Sequence, residues 1–220
     1  MNVITRFAVL MSVAAIPALL DAQTERSADA VARGLQARYR GVQDFSADFV
    51  QTYRGGVLKT QTSERGTIAV KKPGKIRWVY TRPERKELIS DGKKVYWYVP
   101  EDKQVTVSEV GPDDESATPL LFLSGKGDIA RDFTPSLVKA ATADLLALKL
   151  VPRRAEPEYE YLVVALDPAS LQLRTLTTRD RQGGESTLTL TNMKENRRLS
   201  DKDFVFTPPR GVNVVTDGTR

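Results

Sequence analysis

Short segments of alternating apolar and polar residues, separated by turn residues, occupy positions 66–100 of the chain. Turn signals stand at Lys72-Pro73-Gly74, at Arg82-Pro83-Glu84 and at Asp91-Gly92. Between them, apolar side chains recur at every second position, which places each set on one face of its strand: Ile68 and Val70, then Ile76, Trp78 and Tyr80, then Val95, Trp97 and Val99. The pattern predicts an antiparallel meander whose apolar face must be covered by another layer or by a ligand.

One amphipathic helix is predicted ahead of the meander, over residues 27–41. Ser27 suits the N-cap position and Gly41 suits the end of the helix. The apolar residues between them recur near helical spacing, which predicts one buried stripe: Val31, Leu35, Tyr39 and Val42.

Strand patterns continue on both sides of the meander. Phe45, Ala47 and Phe49 alternate with polar residues, Gly55-Gly56 turns the chain, and residues 57–70 read as one long strand. Further strands are predicted at Val105 and Val107 and over residues 146–150, 161–166, 171–178 and 186–191. The prediction is a mainly β fold with about eleven strands. Because the late turns are hairpin turns, the sheet should be largely antiparallel, and a sheet of that width curls into a barrel or an unclosed half-barrel.

The alternation stops over residues 111–142, where helical or other non-strand structure is expected. Thr118 followed by Pro119 suits a helix start. The apolar run that follows is too short to form a stable helix alone, so it must dock on another surface: Leu120, Leu121, Phe122 and Leu123. Two interpretations remain, a movable lid over the concave side of the sheet and a fixed plug that completes the core.

The N-terminus is typical of an export signal. Arg6 precedes an apolar run over residues 7–20, and Ala22 offers a small residue for a signal peptidase. A buried N-terminal helix, the alternative, would have to contain Pro17. We therefore expect residues 1–22 to be removed and the protein to be exported as a single domain over residues 23–220. The chain has no cysteine, which excludes a disulfide and a cysteine-borne lipid anchor.

Composition and charge restrict the possible functions. The formal net charge is +5, with basic residues scattered rather than clustered and with no nucleic-acid motif. Such a charge fits weak attraction to anionic membranes or acidic partners, or plain solubility, and gives no support for nucleic-acid binding.

Catalytic chemistry finds little support in the sequence. The absence of histidine and cysteine removes the usual general base, the thiol nucleophile and the commonest zinc ligands. Asp113-Asp114-Glu115 could be a carboxylate pair for glycoside hydrolysis, but adjacent acids in a polar loop are usually solvated charge. Gly125-Lys126-Gly127 lacks the spacing of a phosphate loop. We expect no enzyme, no catalytic residue, no metal and no cofactor; a hydrolase would need two carboxylates converging from different strands.

Several motifs stand in an order and spacing that together are specific: Phe45-Ser46-Ala47-Asp48-Phe49-Val50-Gln51-Thr52, Gly66 with Lys72-Pro73 and Ile76-Arg77-Trp78, Ser90-Asp91-Gly92-Lys93 with Tyr96-Trp97-Tyr98, and Phe204-Val205-Phe206-Thr207-Pro208-Pro209-Arg210-Gly211-Val212. With these motifs the chain resembles the LolA family, periplasmic carriers of outer-membrane lipoproteins. The resemblance extends from about Leu35 to the C-terminus.

The resemblance implies an unclosed barrel lidded by helices, acting as a monomer. Its hydrophobic cavity would take the acyl chains of lipoproteins released by an inner-membrane transporter of the LolCDE type. It would deliver them to an outer-membrane acceptor of the LolB type where one is present, or insert them directly. The family places a basic residue, more often arginine, before the turn proline to hold the lid by hydrogen bonds; Lys72 stands there in this chain. Lysine lacks the donor fork of arginine, so the closed state would be looser. A solvated turn lysine is the alternative.

On this interpretation one set of residues lines the cavity: Phe45, Phe49, Ile68, Val70, Ile76, Trp78, Val95 and Trp97. The lid presents Leu120, Leu121, Phe122 and Leu123 to them. Alternation alone does not separate a cavity wall from ordinary core packing, and both faces of the strand at residues 95–99 are apolar. The alternative function is an envelope lipid-binding, glycolipid-binding or stress-sensing module on the same half-barrel.

Overall fold

The computed structural model describes residues 27–55, 60–110 and 127–216. In these ranges the helices are α1 (Ala28–Gly41) and α2 (Ile129–Asp132), with a 3-10 turn at Asp201–Phe204. The strands are β1 (Asp44–Arg54), β2 (Gln61–Lys71), β3 (Lys75–Arg82), β4 (Lys86–Asp91), β5 (Lys94–Val99), β6 (Gln104–Glu109), β7 (Phe133–Val138), β8 (Leu146–Pro152), β9 (Tyr161–Leu166), β10 (Leu173–Arg179), β11 (Glu185–Glu195) and β12 (Asn213–Thr216).

These strands form one sheet in the order β12-β6-β5-β4-β3-β2-β1-β11-β10-β9-β8-β7. Neighbouring strands are antiparallel, except that β12 pairs with β6 in parallel. β7 and β12 are the two ends of this order, so the sheet does not close on itself. The predicted fold class, a mainly β unclosed half-barrel, is confirmed; the described sheet has twelve strands rather than about eleven.

The predicted helix is confirmed as α1. The Ser27 side chain accepts a hydrogen bond from the Ala30 amide at 3.2 Å, which satisfies one of the free donors of the first turn. Its buried stripe comprises Val31, Ala32, Leu35 and Tyr39. These residues belong to one core cluster with Phe45, Phe49, Ile68 and Val70 of the sheet. We call the sheet face that packs against α1 the inner face and the opposite one the outer face.

The prediction of non-strand structure over residues 111–142 is wrong in part, because residues 133–138 form β7. This strand pairs with β8, from Phe133 opposite Pro152 to Val138 opposite Ala147. Pro135 lacks an amide hydrogen, and a sheet tolerates proline in an edge strand, where one side forms no ladder. Pro135 therefore lies in a strand at the edge of the sheet.

Two predicted strand starts also differ. Of the strand predicted over residues 57–70, residues 57–59 lie outside the described ranges and Thr60 is not part of a strand, so β2 begins at Gln61. The strand predicted from residue 171 begins at Leu173, because Leu171 has a positive φ of 56° and belongs to the preceding turn.

The C-terminal segment packs on the outer face. The buried carboxylate of Asp44 accepts hydrogen bonds from the amides of Arg197 and Arg198, at 2.7 and 3.0 Å. The 3-10 turn beyond them contacts β3 and β4, and its Phe204 is fully buried. This segment covers outer-face apolar residues that the sequence left unassigned.

Candidate functional site

Strand register places the predicted cavity residues on the inner face. Ile68, Trp78 and Trp97 lie in one cross-strand row, since Ile68 pairs with Trp78, Trp78 with Leu88, and Leu88 with Trp97. A second row runs from Phe45 through Val70 to Ile76, and Ser90 joins Ile76 to Val95. Residues in one such row point to the same side of a pleated sheet.

The outer face of β5 is identified by its contacts. The rings of Tyr96 and Tyr98 lie 5.4 and 5.3 Å from the ring of Phe206, which belongs to the C-terminal segment on the outer face. Because side chains alternate along a strand, Val95, Trp97 and Val99 point inward. The orientation that the sequence left open is thereby decided.

Burial divides the predicted cavity residues into two groups. Phe45, Phe49, Ile68 and Val70 are at most 2% exposed and belong to the packed core. The other four are partly buried on the same face: Ile76, Trp78, Val95 and Trp97. The structure thus brings all of them together, and their contact with a ligand stays a prediction.

Four aromatic residues of the inner face form a continuous cluster, which we call the aromatic wall: Phe49, Trp78, Tyr80 and Trp97. The ring of Phe49 meets Trp78 and Tyr80 edge-on at 5.4 and 5.1 Å. Trp78 and Tyr80 stack with centroids 5.8 Å apart, and Tyr80 lies 6.3 Å from Trp97. Such a surface offers a large apolar contact area to a hydrocarbon ligand.

Polar groups that the sequence did not single out lie on the aromatic wall. The Lys86 ammonium lies 4.6 Å from the Tyr80 ring centroid and 5.7 Å from that of Trp97. It also forms an ion pair of 2.5 Å with Glu64. The Tyr80 hydroxyl donates to Gln51 Oε1 at 3.2 Å, and burial, followed by the charge of Glu64, raises the pKa of Tyr80. A lysine or glutamate in an alternating strand normally predicts a solvent face, so the pattern gave no signal for this pair.

Lys72 contacts α1. Its ammonium donates to the backbone carbonyl of Tyr39 in the last turn of that helix, and burial lowers the pKa of Lys72. The end of a helix leaves carbonyl groups without helical partners, and a lysine there satisfies one of them. Lys72 is therefore bonded to a helix of the inner face rather than being only a solvated turn residue.

The described end of the predicted lid docks on the same helix. The amide of Ile129 donates to Gln36 Oε1 at 2.8 Å, and Arg40 pairs with Asp128 at 3.2 Å. Ile129 itself is buried in the core cluster. The predicted lid residues lie outside the described residues: Leu120, Leu121, Phe122 and Leu123. The carboxylates of residues 113–115 also lie outside them.

Two further properties concern the described ranges only. No group of three or more potential metal ligands is found among residues 27–55, 60–110 and 127–216. In the same part of the chain, no helix has the length and apolar character needed to cross a membrane.

Comparison with known proteins identifies the family. The family model described as "Outer membrane lipoprotein carrier protein LolA" matches residues 40–207. The outer-membrane lipoprotein carrier protein of Bordetella avium is 33% identical over 97% of this chain and 97% of its own length. That of Methylococcus capsulatus is 31% identical over 78% of this chain and 80% of its own length. The crystal structure of an uncharacterized conserved protein from Thermus thermophilus shares the fold, with a TM-score of 0.54 at 13% identity over 86% of this chain and 99% of that one. The chain belongs to the LolA family.

Proposed function

We propose that this protein is a periplasmic carrier that binds the acyl chains of lipoproteins on its inner face and moves them from the inner to the outer membrane. It acts as a binding and transport protein rather than an enzyme. Family membership supports this proposal, and the aromatic wall on a half-buried sheet face is the structural observation that carries it. An inner-membrane transporter of the LolCDE type would supply the cargo, and an outer-membrane acceptor of the LolB type would receive it.

The free energy of exposing a lipid anchor explains why a carrier is needed. Each CH₂ group moved from an apolar environment into water costs about 0.8 kcal/mol, so a sixteen-carbon chain costs roughly 12 kcal/mol. Unassisted transfer through water would therefore be extremely slow. A protein surface that keeps the chain covered removes this barrier, provided that it also releases the chain.

Loading would proceed from the partly buried residues toward the core. Trp78 and Trp97 are only partly covered, whereas Phe45 and Phe49 are packed. Acyl chains that reach the packed residues must displace the groups that now cover them. The apolar run at residues 120–123 would leave the inner face on loading and return on release, so that lid and cargo compete for one surface.

Lys72 would control how readily this displacement occurs. Its bond to Tyr39 holds the C-terminal end of α1 against the turn between β2 and β3. Since residues 128 and 129 bond to the same helix, α1 connects Lys72 to the described end of the predicted lid. Breaking the Lys72 bond would loosen α1 and favour the open state.

A direct binding measurement tests the function. The mature chain, which we place at residues 23–220, should bind a fluorescently labelled triacylated lipopeptide with a saturable stoichiometry, measured by anisotropy. Trp78→Gln removes apolar contact area from the inner face and should weaken binding by about tenfold or more. Tyr98→Gln is the matched control, because Tyr98 is a partly buried aromatic on the outer face of the same sheet. No saturable uptake by folded wild-type protein would contradict the proposal.

A further inference from the structure

An ion pair lies on the same inner-face surface that is otherwise apolar and aromatic. Glu64 and Lys86 pair at 2.5 Å, and their side chains are only 25% and 23% exposed. The strand register places both side chains on the inner face. Glu64 pairs with Gln51, which lies two positions after Phe49 in β1 and so on the same face as Phe49. Lys86 pairs with Tyr80 of the aromatic wall. Partial burial removes water from both charges, which is unfavourable unless other groups interact with them. A surface that bound hydrocarbon alone would have no use for this pair.

The aromatic wall also contains a hydrogen-bond donor without an acceptor. The indole nitrogen Nε1 of Trp78 is buried and has no hydrogen-bond partner. The Trp78 ring stacks on Tyr80, and the ammonium of Lys86 lies over two rings of the wall, those of Tyr80 and Trp97. A buried N–H group without an acceptor is costly, and a ligand carrying an acceptor oxygen would satisfy it. The wall therefore combines apolar contact area with unused donor capacity.

The charge balance of the pair determines which acceptor fits. Glu64 compensates the positive charge of Lys86, and the polar side chain nearest to Tyr80 on β1, that of Gln51, is neutral. An anionic group brought to Lys86 would also meet the carboxylate of Glu64. A neutral carbonyl oxygen would accept a hydrogen bond from Lys86 or Trp78 without that repulsion.

We propose that Glu64, Lys86 and the indole N–H of Trp78 form a polar subsite that binds the carbonyl oxygens of neutral acyl esters and discriminates against the carboxylate of free fatty acids. This inference rests on the proposed function and names the part of the ligand that the inner face recognises besides hydrocarbon. Lipid-modified polypeptides carry their acyl chains through uncharged ester or amide linkages, whereas a free fatty acid ends in an anionic carboxylate. The subsite would thus distinguish acyl chains in ester or amide linkage from free fatty acids.

Two ligands with the same acyl chain and different polar ends test the discrimination: monopalmitoylglycerol and palmitate. Both can be titrated by intrinsic fluorescence, because the two tryptophans of the chain, Trp78 and Trp97, both lie in the aromatic wall. Wild-type protein should bind the ester more tightly. Glu64→Gln leaves the charge of Lys86 uncompensated, so it should shift the ratio of the two dissociation constants toward palmitate by about fivefold or more. Lys86→Met should shift the ratio in the opposite direction.

Glu185→Gln is the matched control. It removes the same charge from another cross-strand ion pair, Arg179 with Glu185 at 2.9 Å, on the outer face of the sheet. This variant should leave the ratio of dissociation constants unchanged. Thermal unfolding of each variant establishes that folded proteins are being compared.

The outcomes separate the two proposals. If wild-type protein and Glu64→Gln bind both ligands with the same ratio of dissociation constants, the polar subsite is refuted while the carrier function stands. If Glu185→Gln shifts the ratio as much as Glu64→Gln, the effect is a general consequence of net charge and the subsite is equally refuted. If folded wild-type protein binds neither ligand nor the triacylated lipopeptide, the carrier function itself fails.

Discussion

Gly66 of β2 lies where two strands approach most closely, and Gly66→Ala should be strongly destabilising. A Cβ added there would lie 1.8 Å from the carbonyl oxygen of Val79 in β3 and 3.0 Å from the ring of Phe49 in β1. Real Cβ atoms essentially never approach another atom more closely than 3.0 Å. The Val79 atom belongs to the backbone, so no side-chain rotation relieves the contact. The requirement for glycine is steric, because Gly66 does not have a positive φ.

The structure indicates the magnitude of the loss. β2 pairs with both neighbours at this position, Phe49 opposite Gly66 and Gly66 opposite Tyr80, so the strands must separate by more than 1 Å to admit the methyl group. Separation breaks ladder hydrogen bonds and displaces two rings of the aromatic wall. We expect a loss of about 3 kcal/mol or more in the free energy of unfolding.

Urea unfolding followed by tryptophan fluorescence provides the measurement. Gly41→Ala is the control, since a Cβ at the end of α1 would meet nothing within 4 Å. Alanine favours helix over glycine, so this control should stabilise the protein by up to about 1 kcal/mol. Equal unfolding midpoints for Gly66→Ala and wild type would refute the steric reasoning.

Two further perturbations test other contacts. Lys72→Leu removes the hydrogen bond to the Tyr39 carbonyl. We therefore expect acyl-ligand binding to be retained and lipoprotein transfer to an acceptor to be impaired. Unchanged transfer would show that Lys72 is only a turn residue. Asp201 accepts from Lys71 and Lys75, at 2.6 and 2.8 Å, which lowers its pKa from 3.8 to about 2. Because the pKa of Asp201 is lower in the folded state than in the unfolded state, its ionised carboxylate stabilises the fold at pH values above the unfolded-state pKa. This contribution is lost as the pH falls from about 4 to 2. With Asp201→Asn, the free energy of unfolding measured with urea should depend less steeply on pH across that interval. The same pH dependence as in wild type would contradict the assignment.

The aromatic wall shows why a carrier and a packed core are hard to distinguish. Phe49 and Ile68 have the burial of ordinary core residues, whereas Trp78 and Trp97 on the same face are partly covered. A binding face that exchanges its own cover for a ligand must remain stable in both states. The partly covered tryptophans and the unpartnered Nε1 of Trp78 are the features on this face that ordinary core packing leaves unexplained.

Interactions between residues close together in sequence are enough to determine α1 and the meander. Ser27 and Gly41 bound the helix, and the turns at residues 72–74, 82–84 and 91–92 separate β2, β3, β4 and β5. Each of these signals acts through a few neighbouring residues, by capping, by side-chain alternation or by turn geometry. They need no information about distant parts of the chain, so the sequence suffices to predict them.

Only the tertiary structure decided where those elements lie relative to one another. β7 accommodates Pro135 because only one of its two edges pairs with another described strand. β12 pairs in parallel with β6, which is far from it in sequence. The inward position of Lys86 depends on its partners across the sheet, since the alternation of β4 is the same for either orientation. The sequence therefore determined which residues alternate, and long-range pairing determined which of them face the inside, because a pleat has two equivalent faces until another layer covers one.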